Sequence, residues 1–272
     1  MIQRNLFRNF NWYSALLYTM IFSPTVIIAQ SDSLKKDQIN VRHDTSEFPN
    51  IRNKIKDQTF FIELDHNDLN AYIRRSLLEY QIGEYAACIK DNTEILRLVP
   101  NSTDAYGNRG LSYVFLEKYK EAIEDLSKAI ELAPDKPVCY VNRAFAKSQQ
   151  GNYQEAIDDL DKAIALDSQY AKAYANRGFN KKKLEKYNES LQDFDQALKL
   201  NPAYTEVYIN RAFTKVKLKD FDGAISDINM ARQYSPGMET ADFYVNRGKI
   251  YEEKGDKINA EKDFKKASEL NK

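Results

Sequence analysis

The sequence predicts an all-α chain, an array of stacked antiparallel helix pairs. Three observations carry that expectation. Only 9 Gly and 7 Pro interrupt the 272 residues, while Ala, Leu, Lys and Glu abound, a composition that favours helices. Pro100, Pro134, Pro202 and Pro236 are separated by 34, 68 and 34 residues, and Ser168 fills the missing step. A short segment recurs at matching intervals: YGNRG, YVNRA, YANRG, YINRA and YVNRG begin at Tyr106, Tyr140, Tyr174, Tyr208 and Tyr244. A fixed period of this length marks helix pairs that cannot bury their apolar faces alone and so stack on one another.

Taken from the N-terminus, the first element stands apart. Met1 to Ala29 contains no acidic residue, and Arg4 and Arg8 precede a largely apolar run from Trp12 to Ala29. A positive start, an apolar stretch and small residues beyond it form a secretory signal, with cleavage after Ala29 or Ser31. The alternative is an uncleaved membrane anchor over residues 12–29, weakened by Pro24 and the hydroxyl residues. Either way the rest of the chain is expected outside the cytoplasm, in a periplasm or the extracellular space. Residues 30–50 are polar and read as a flexible tether. In residues 51–68, Ile51, Ile55, Phe61, Ile62 and Leu64 suit one amphipathic helix that caps the array, or a decayed half-repeat.

The array occupies 69–272 as six units, at 69–102, 103–136, 137–170, 171–204, 205–238 and, after a two-residue insertion, 241–272. Counting places from the start of each unit, place 4 is always Tyr. Place 8 is small (Ser76, Gly110, Ala144, Gly178, Ala212, Gly248), as is place 20 (Cys88, Ala122, Ala156, Ser190, Ala224, Ala260). Place 27 is Ala except for Ile95 in the first unit. Small residues let two helices approach, and Pro at place 32 prevents the second helix from continuing. This pattern resembles the tetratricopeptide repeat family. The resemblance implies a right-handed superhelical solenoid whose first helices line a concave surface, and a protein-binding scaffold as its function.

Two further columns run through the units. Place 7 is Arg75, Arg109, Arg143, Arg177, Arg211 and Arg247, where the family usually has an apolar residue. Place 23 is Asp91, Asp125, Asp159, Asp193, Asp227 and Asp263. Their constant relation predicts structural ion pairs between helices, the other reading being a binding stripe. Place 6 is Asn108, Asn142, Asn176, Asn210 and Asn246, with Arg74 in the first unit. Asn carries donors and an acceptor and is a mediocre helix-interior residue, so its recurrence asks for a reason. The resemblance supplies one, an asparagine ladder that grips the backbone of an extended peptide; the other reading is a bond to the next helix. Place 9 adds Leu111, Phe145, Phe179 and Phe213, either an apolar stripe for partner side chains or core packing between units.

Lys147, Lys181, Lys182, Lys183, Lys215, Lys217 and Lys219 crowd the ends of the middle first helices. Such a patch favours an acidic partner or a terminal carboxylate, and a merely solvated face is the alternative. Lys183 and Lys217 are counted with the peptide-binding candidates. The carboxylate clamp of some family members is not matched, since its earlier Lys and Asn places hold residues such as Val141 and Phe145.

No enzyme signature is present. The chain lacks G-x-G-x-x-G, G-x-x-x-x-G-K, G-x-S-x-G, H-E-x-x-H and C-x-x-C, so no catalytic residue, cofactor or metal site is expected. The only histidines, His43 and His66, precede the repeats, and Cys88 and Cys139 fall at packing places. Asn101-Ser102-Thr103 and Asn188-Glu189-Ser190 fit the glycosylation triplet. With 40 basic and 40 acidic residues, neither disorder nor a nucleic-acid partner is expected. A membrane partner is expected only through an uncleaved N-terminus. The residues therefore point to a protein or peptide partner held along the first helices, or to an envelope assembly factor acting through outer faces or array ends.

Overall fold

The computed structural model describes residues 48–270, so the signal or anchor segment and most of the tether lie outside the described residues. Among the described residues the regular structure is wholly helical. The first helix, α1, spans Phe48–Leu64 and therefore begins within the stretch expected to be tether. The repeats then alternate a first and a second helix. These are α2 Leu69–Gln81 and α3 Tyr85–Leu98, α4 Thr103–Phe115 and α5 Tyr119–Leu132, α6 Pro137–Gln149 and α7 Tyr153–Leu166. They continue as α8 Ala171–Lys183 and α9 Tyr187–Leu200, α10 Thr205–Lys217 and α11 Phe221–Tyr234, and α12 Ala241–Lys254 and α13 Lys257–Leu270. A 3₁₀ turn at Pro236–Met238 takes up the insertion before α12. No helix of the described residues is long and apolar enough to cross a membrane.

The period fixes where each helix starts and stops. Every turn between the helices of a pair has one residue with positive φ at place 15: Gly83, Glu117, Gly151, Glu185, Lys219 and Gly255. Three of these are not glycine, so this turn is imposed by the packing on either side rather than by local preference. The second helices α3, α5, α9 and α11 each end at a non-helical residue directly before a proline, such as Val99 before Pro100 and Asn201 before Pro202, because Pro disfavours helical geometry in the residue ahead of it. Helix starts are capped unevenly. Ser102, Asp68 and Asp220 accept hydrogen bonds from Ala105, Ala71 and Gly223, whereas Pro137 opens α6.

The chain divides into two compact units at the Gln150–Gly151 turn, inside the third repeat. In the first unit α1 to α6 pack in succession, each helix on the next. Ile62, Ala71, Tyr72, Ile95, Leu96 and Ala105 form one core cluster, and Val114, Ala122, Leu126 and Ala146 another. Only part of the expected apolar face of α1 serves that core. Ile51 and Ile62 are buried, but Phe61 and Leu64 are exposed, together with Phe60. The α1 helix stands where a second helix would stand, so its outward flank has no first helix among the described residues to cover it.

In the second unit α7 to α13 also pack in succession. Ala212, Ala224, Ile225, Ile228, Phe243, Tyr244, Ile250 and Ala267 make its largest cluster. The small residue at place 8 is needed here for close approach. A Cβ on Gly178 would lie 2.8 Å from the Phe194 ring, and one on Gly248 would lie 2.7 Å from the Phe264 ring. The sequence pattern pairs place 8 with place 20; the structure adds place 24, whose side chain lies directly over the glycine. Place 20 still takes part, since Ser190 Oγ donates to the Gly178 carbonyl at 2.7 Å. On α13, Lys257, Glu261, Lys262, Lys265 and Lys266 are exposed and leave the terminal helix with a solvated flank.

Candidate protein-interaction face

In the first, second, fourth, fifth and sixth repeats the Arg and Asp columns join as forked ion pairs between the two helices of a repeat. Arg75 Nε and Nη2 donate to Asp91 at 2.8 and 2.7 Å, and Arg109 does the same to Asp125 at 2.7 and 2.8 Å. In the second unit Arg177 reaches Asp193 at 3.0 and 2.6 Å, Arg211 reaches Asp227 at 2.9 and 2.5 Å, and Arg247 reaches Asp263 at 2.8 and 2.8 Å. Two parallel bonds suit the planar guanidinium, which lysine could not reproduce. The hydrogen bonds that they donate to their Asp raise Arg75, Arg109 and Arg247 above the ordinary arginine range.

The third guanidinium nitrogen, Nη1, points the other way, to place 25 of the preceding second helix. Its partner is Thr59 for Arg75, Thr93 for Arg109 and Ser127 for Arg143, at 3.0–3.1 Å. In the second unit the partners are Asp161, Asp195 and Asn229, at 2.6–2.7 Å. Each guanidinium also lies 5.4–5.8 Å from the ring centre of its own place-4 Tyr. One arginine thus ties its own pair together and staples that pair to the previous helix. Place 25 is absent from the sequence-based expectations, although Thr59, Thr93, Ser127, Asp161, Asp195 and Asn229 repeat every 34 residues as small polar groups. Thr59 also shows that α1 performs the work of a second helix.

Part of the expected lysine patch belongs to the same network. Lys181 and Lys215, both at place 11, lie 2.9 Å from Asp193 and Asp227 and add a second cation to those rungs. Place 11 of the first repeat is Glu79, which is buried with Arg75 3.8 Å away. Burial, and then the neighbouring Asp91, push the Glu79 carboxyl up to about 8.

The remaining candidates lie on the first helices. In the first unit Asn142 is buried and Asn108 half-buried, the latter beside Ser76, Leu77, Tyr80, Cys88 and Leu111. Leu111 belongs to a core cluster with Tyr80 and Cys88, and Phe145 packs against the Val114 cluster, so both contribute to packing between repeats. In the second unit Asn176 and Asn246 are half-buried, as are Phe179 and Phe213, while Lys183 and Lys217 are exposed. Asn210 is buried; its Nδ2 donates to the Glu206 carbonyl at 2.9 Å and its Oδ1 accepts from Lys182 at 2.5 Å. Lys182 and Lys183 both sit over the Phe179 ring, 5.0 and 5.3 Å from its centre.

The thiols are placed for packing. Burial pushes Cys88 up to about 12 and Cys139 up to about 11, far from the range of a reactive thiolate. Cys88 accepts from Ser112 and Asn92 in the core of the first unit. Among the described residues no group of three or more His, Cys, Asp or Glu side chains could hold a metal ion.

Family models described as tetratricopeptide repeat match residues 103–136, and 171–204 with 241–272; a model described as TPR repeat matches 146–183. No curated protein matches the sequence. Among solved structures, a tetratricopeptide repeat protein from Parabacteroides merdae is 19% identical with a TM-score of 0.65, covering 96% of this chain and 93% of its own. Pseudomonas aeruginosa pilF is 20% identical with a TM-score of 0.63, covering 72% and 88% respectively. YrrB, described as a TPR protein with an unusual peptide-binding site, is 20% identical with a TM-score of 0.53, covering 66% and 93%. At these identities the likeness is one of fold. The repeat models, the helix pairs and these folds agree: the chain belongs to the tetratricopeptide repeat family.

Proposed function

We propose that this protein is a non-enzymatic scaffold that holds an extended segment of a partner protein along its first helices, outside the cytoplasm. The observation that carries this reading is a division of labour between the two kinds of helix. On the second helices the conspicuous polar columns, places 23 and 25, are tied into the arginine staples. The first helices retain Asn176, Phe179, Phe213, Asn246, Lys183 and Lys217 at least partly open to solvent, at spacings that repeat with the period of the fold. Amide groups and aromatic faces so arranged suit the alternating polar and apolar surface of an extended chain. The peptide-binding site of YrrB lends the reading further support. Export rests on the pattern of residues 1–29.

A second reading, assembly through an end of the array, is favoured by one observation. Phe60, Phe61 and Leu64 are exposed on a single helix, α1, at 57%, 46% and 70%. Capture of the partner by a variant with Asn142, Asn176 and Asn210 all changed to Ala separates the two. The groove reading predicts loss of capture with the helical circular-dichroism signal retained. Undiminished capture by a folded variant contradicts it.

A further inference from the structure

On the first-helix face of the second unit, Lys182 is a basic group that no carboxylate among the described residues balances. Three lysines end α8, and helix-end charge alone favours cations there. That effect does not explain how differently they are used. Lys181 turns to Asp193. Lys182 instead lies against the Phe179 ring and reaches across to α10, where its Nζ donates to Asn210 Oδ1. Lys183 brings a second ammonium to the same ring. Burial, and then the Lys183 charge, pull Lys182 down to about 7 from the ordinary 10.5. A desolvated ammonium whose strong partner is a neutral amide gains most from an incoming anion, because the cost of its burial is already present before the anion arrives.

The geometry points to a carboxylate-recognition site: we propose that Lys182 and Lys183 receive an Asp or Glu side chain of the bound segment, with Phe179 beneath its stem and Asn210 holding Lys182 in place. The proposal rests on the reading that the segment lies along the first helices. It assigns Asn210 a positioning role beside any contact with the guest. A terminal carboxylate is not required, since nothing in this group closes off the continuation of a chain.

Binding of two labelled peptides to the full chain tests it, by fluorescence anisotropy at neutral pH and low salt. One is acetyl-(Ala-Glu)₄-amide and the other is acetyl-(Ala-Gln)₄-amide, which match in shape and differ in charge. The Glu peptide is expected to bind at least about tenfold tighter. Lys182→Met should abolish that preference, Lys182→Arg should keep it, and Lys162→Met, an exposed lysine on a second helix, should leave it untouched. Equal binding of both peptides, crosslinking to first helices, overturns the carboxylate site and leaves the scaffold reading standing. A preference for the Glu peptide that survives Lys182→Met, with crosslinks on second helices, overturns both.

Discussion

The first and fourth repeats build the same rung from opposite materials. In the fourth, Arg177 and Lys181 share Asp193, and the exposed Asp161 of the preceding helix and Glu189 add further anions, at 2.6 Å from Arg177 and 3.8 Å from Lys181. In the first, Glu79 replaces the lysine and Thr59 replaces the outer aspartate, so Asp91 and Glu79 compete for Arg75 alone. The cores differ in the same direction. Place 24 is Phe194 over Gly178 in the fourth repeat, but a fully buried Asn92 in the first. Asn92 donates to the Cys88 carbonyl, yet its Oδ1, like Glu79 Oε2 and Tyr80 Oη, has no hydrogen-bond partner. The backbone period thus tolerates a rung of mismatched charge, provided the carboxyl in excess keeps its proton.

Two substitutions separate these rungs most strongly. Asp193→Ala removes the buried anion that Arg177 and Lys181 share, leaves them only the exposed Asp161 and Glu189, and should cost about 3 kcal/mol. Asp91→Ala should cost about half as much, since Glu79 can ionise and take over Arg75 once its rival is gone. Urea midpoints of the two variants measure the difference. Equal losses would mean that place 11 has no influence on the rung.

A smaller effect, visible only against pH, sharpens the contrast. The Glu79 carboxyl titrates at about 8 in the folded chain and near 4.5 when unfolded. The folded state therefore holds a proton that the unfolded state has released, and stability falls as pH rises from about 5 to about 8. Glu79→Gln removes that dependence, so its advantage over the parent should grow across the same window. Parallel stability–pH curves for parent and variant would show that Glu79 ionises freely.

Much of this is legible in the sequence, because the period is strict where helices touch. Proline, glycine and alanine at places 32, 8 and 27 announce helix ends and close contacts, and the Arg and Asp columns announce the rung. The direction in which a long side chain leaves its helix is not legible. Lys181 and Lys182 are adjacent, yet one turns to Asp193 and the other to Asn210, a difference that residue type cannot express. Place 25 stays hidden because threonine, serine, aspartate and asparagine look like ordinary surface choices until the arginine is seen to reach backward. The exposure of Phe60, Phe61 and Leu64 is hidden for another reason: apolar spacing reports a face, and here only the part with Ile51 and Ile62 turns to the core.

The central claim is that the first helices, and not the second, receive the partner. A photoreactive amino acid at Asn176 or Phe213, compared with one at Lys162 or Lys199 on second helices, tests it in the protein's native compartment. Adducts with one partner are expected from the first pair of positions and none from the second. Adducts from Lys162 or Lys199 alone would contradict the claim.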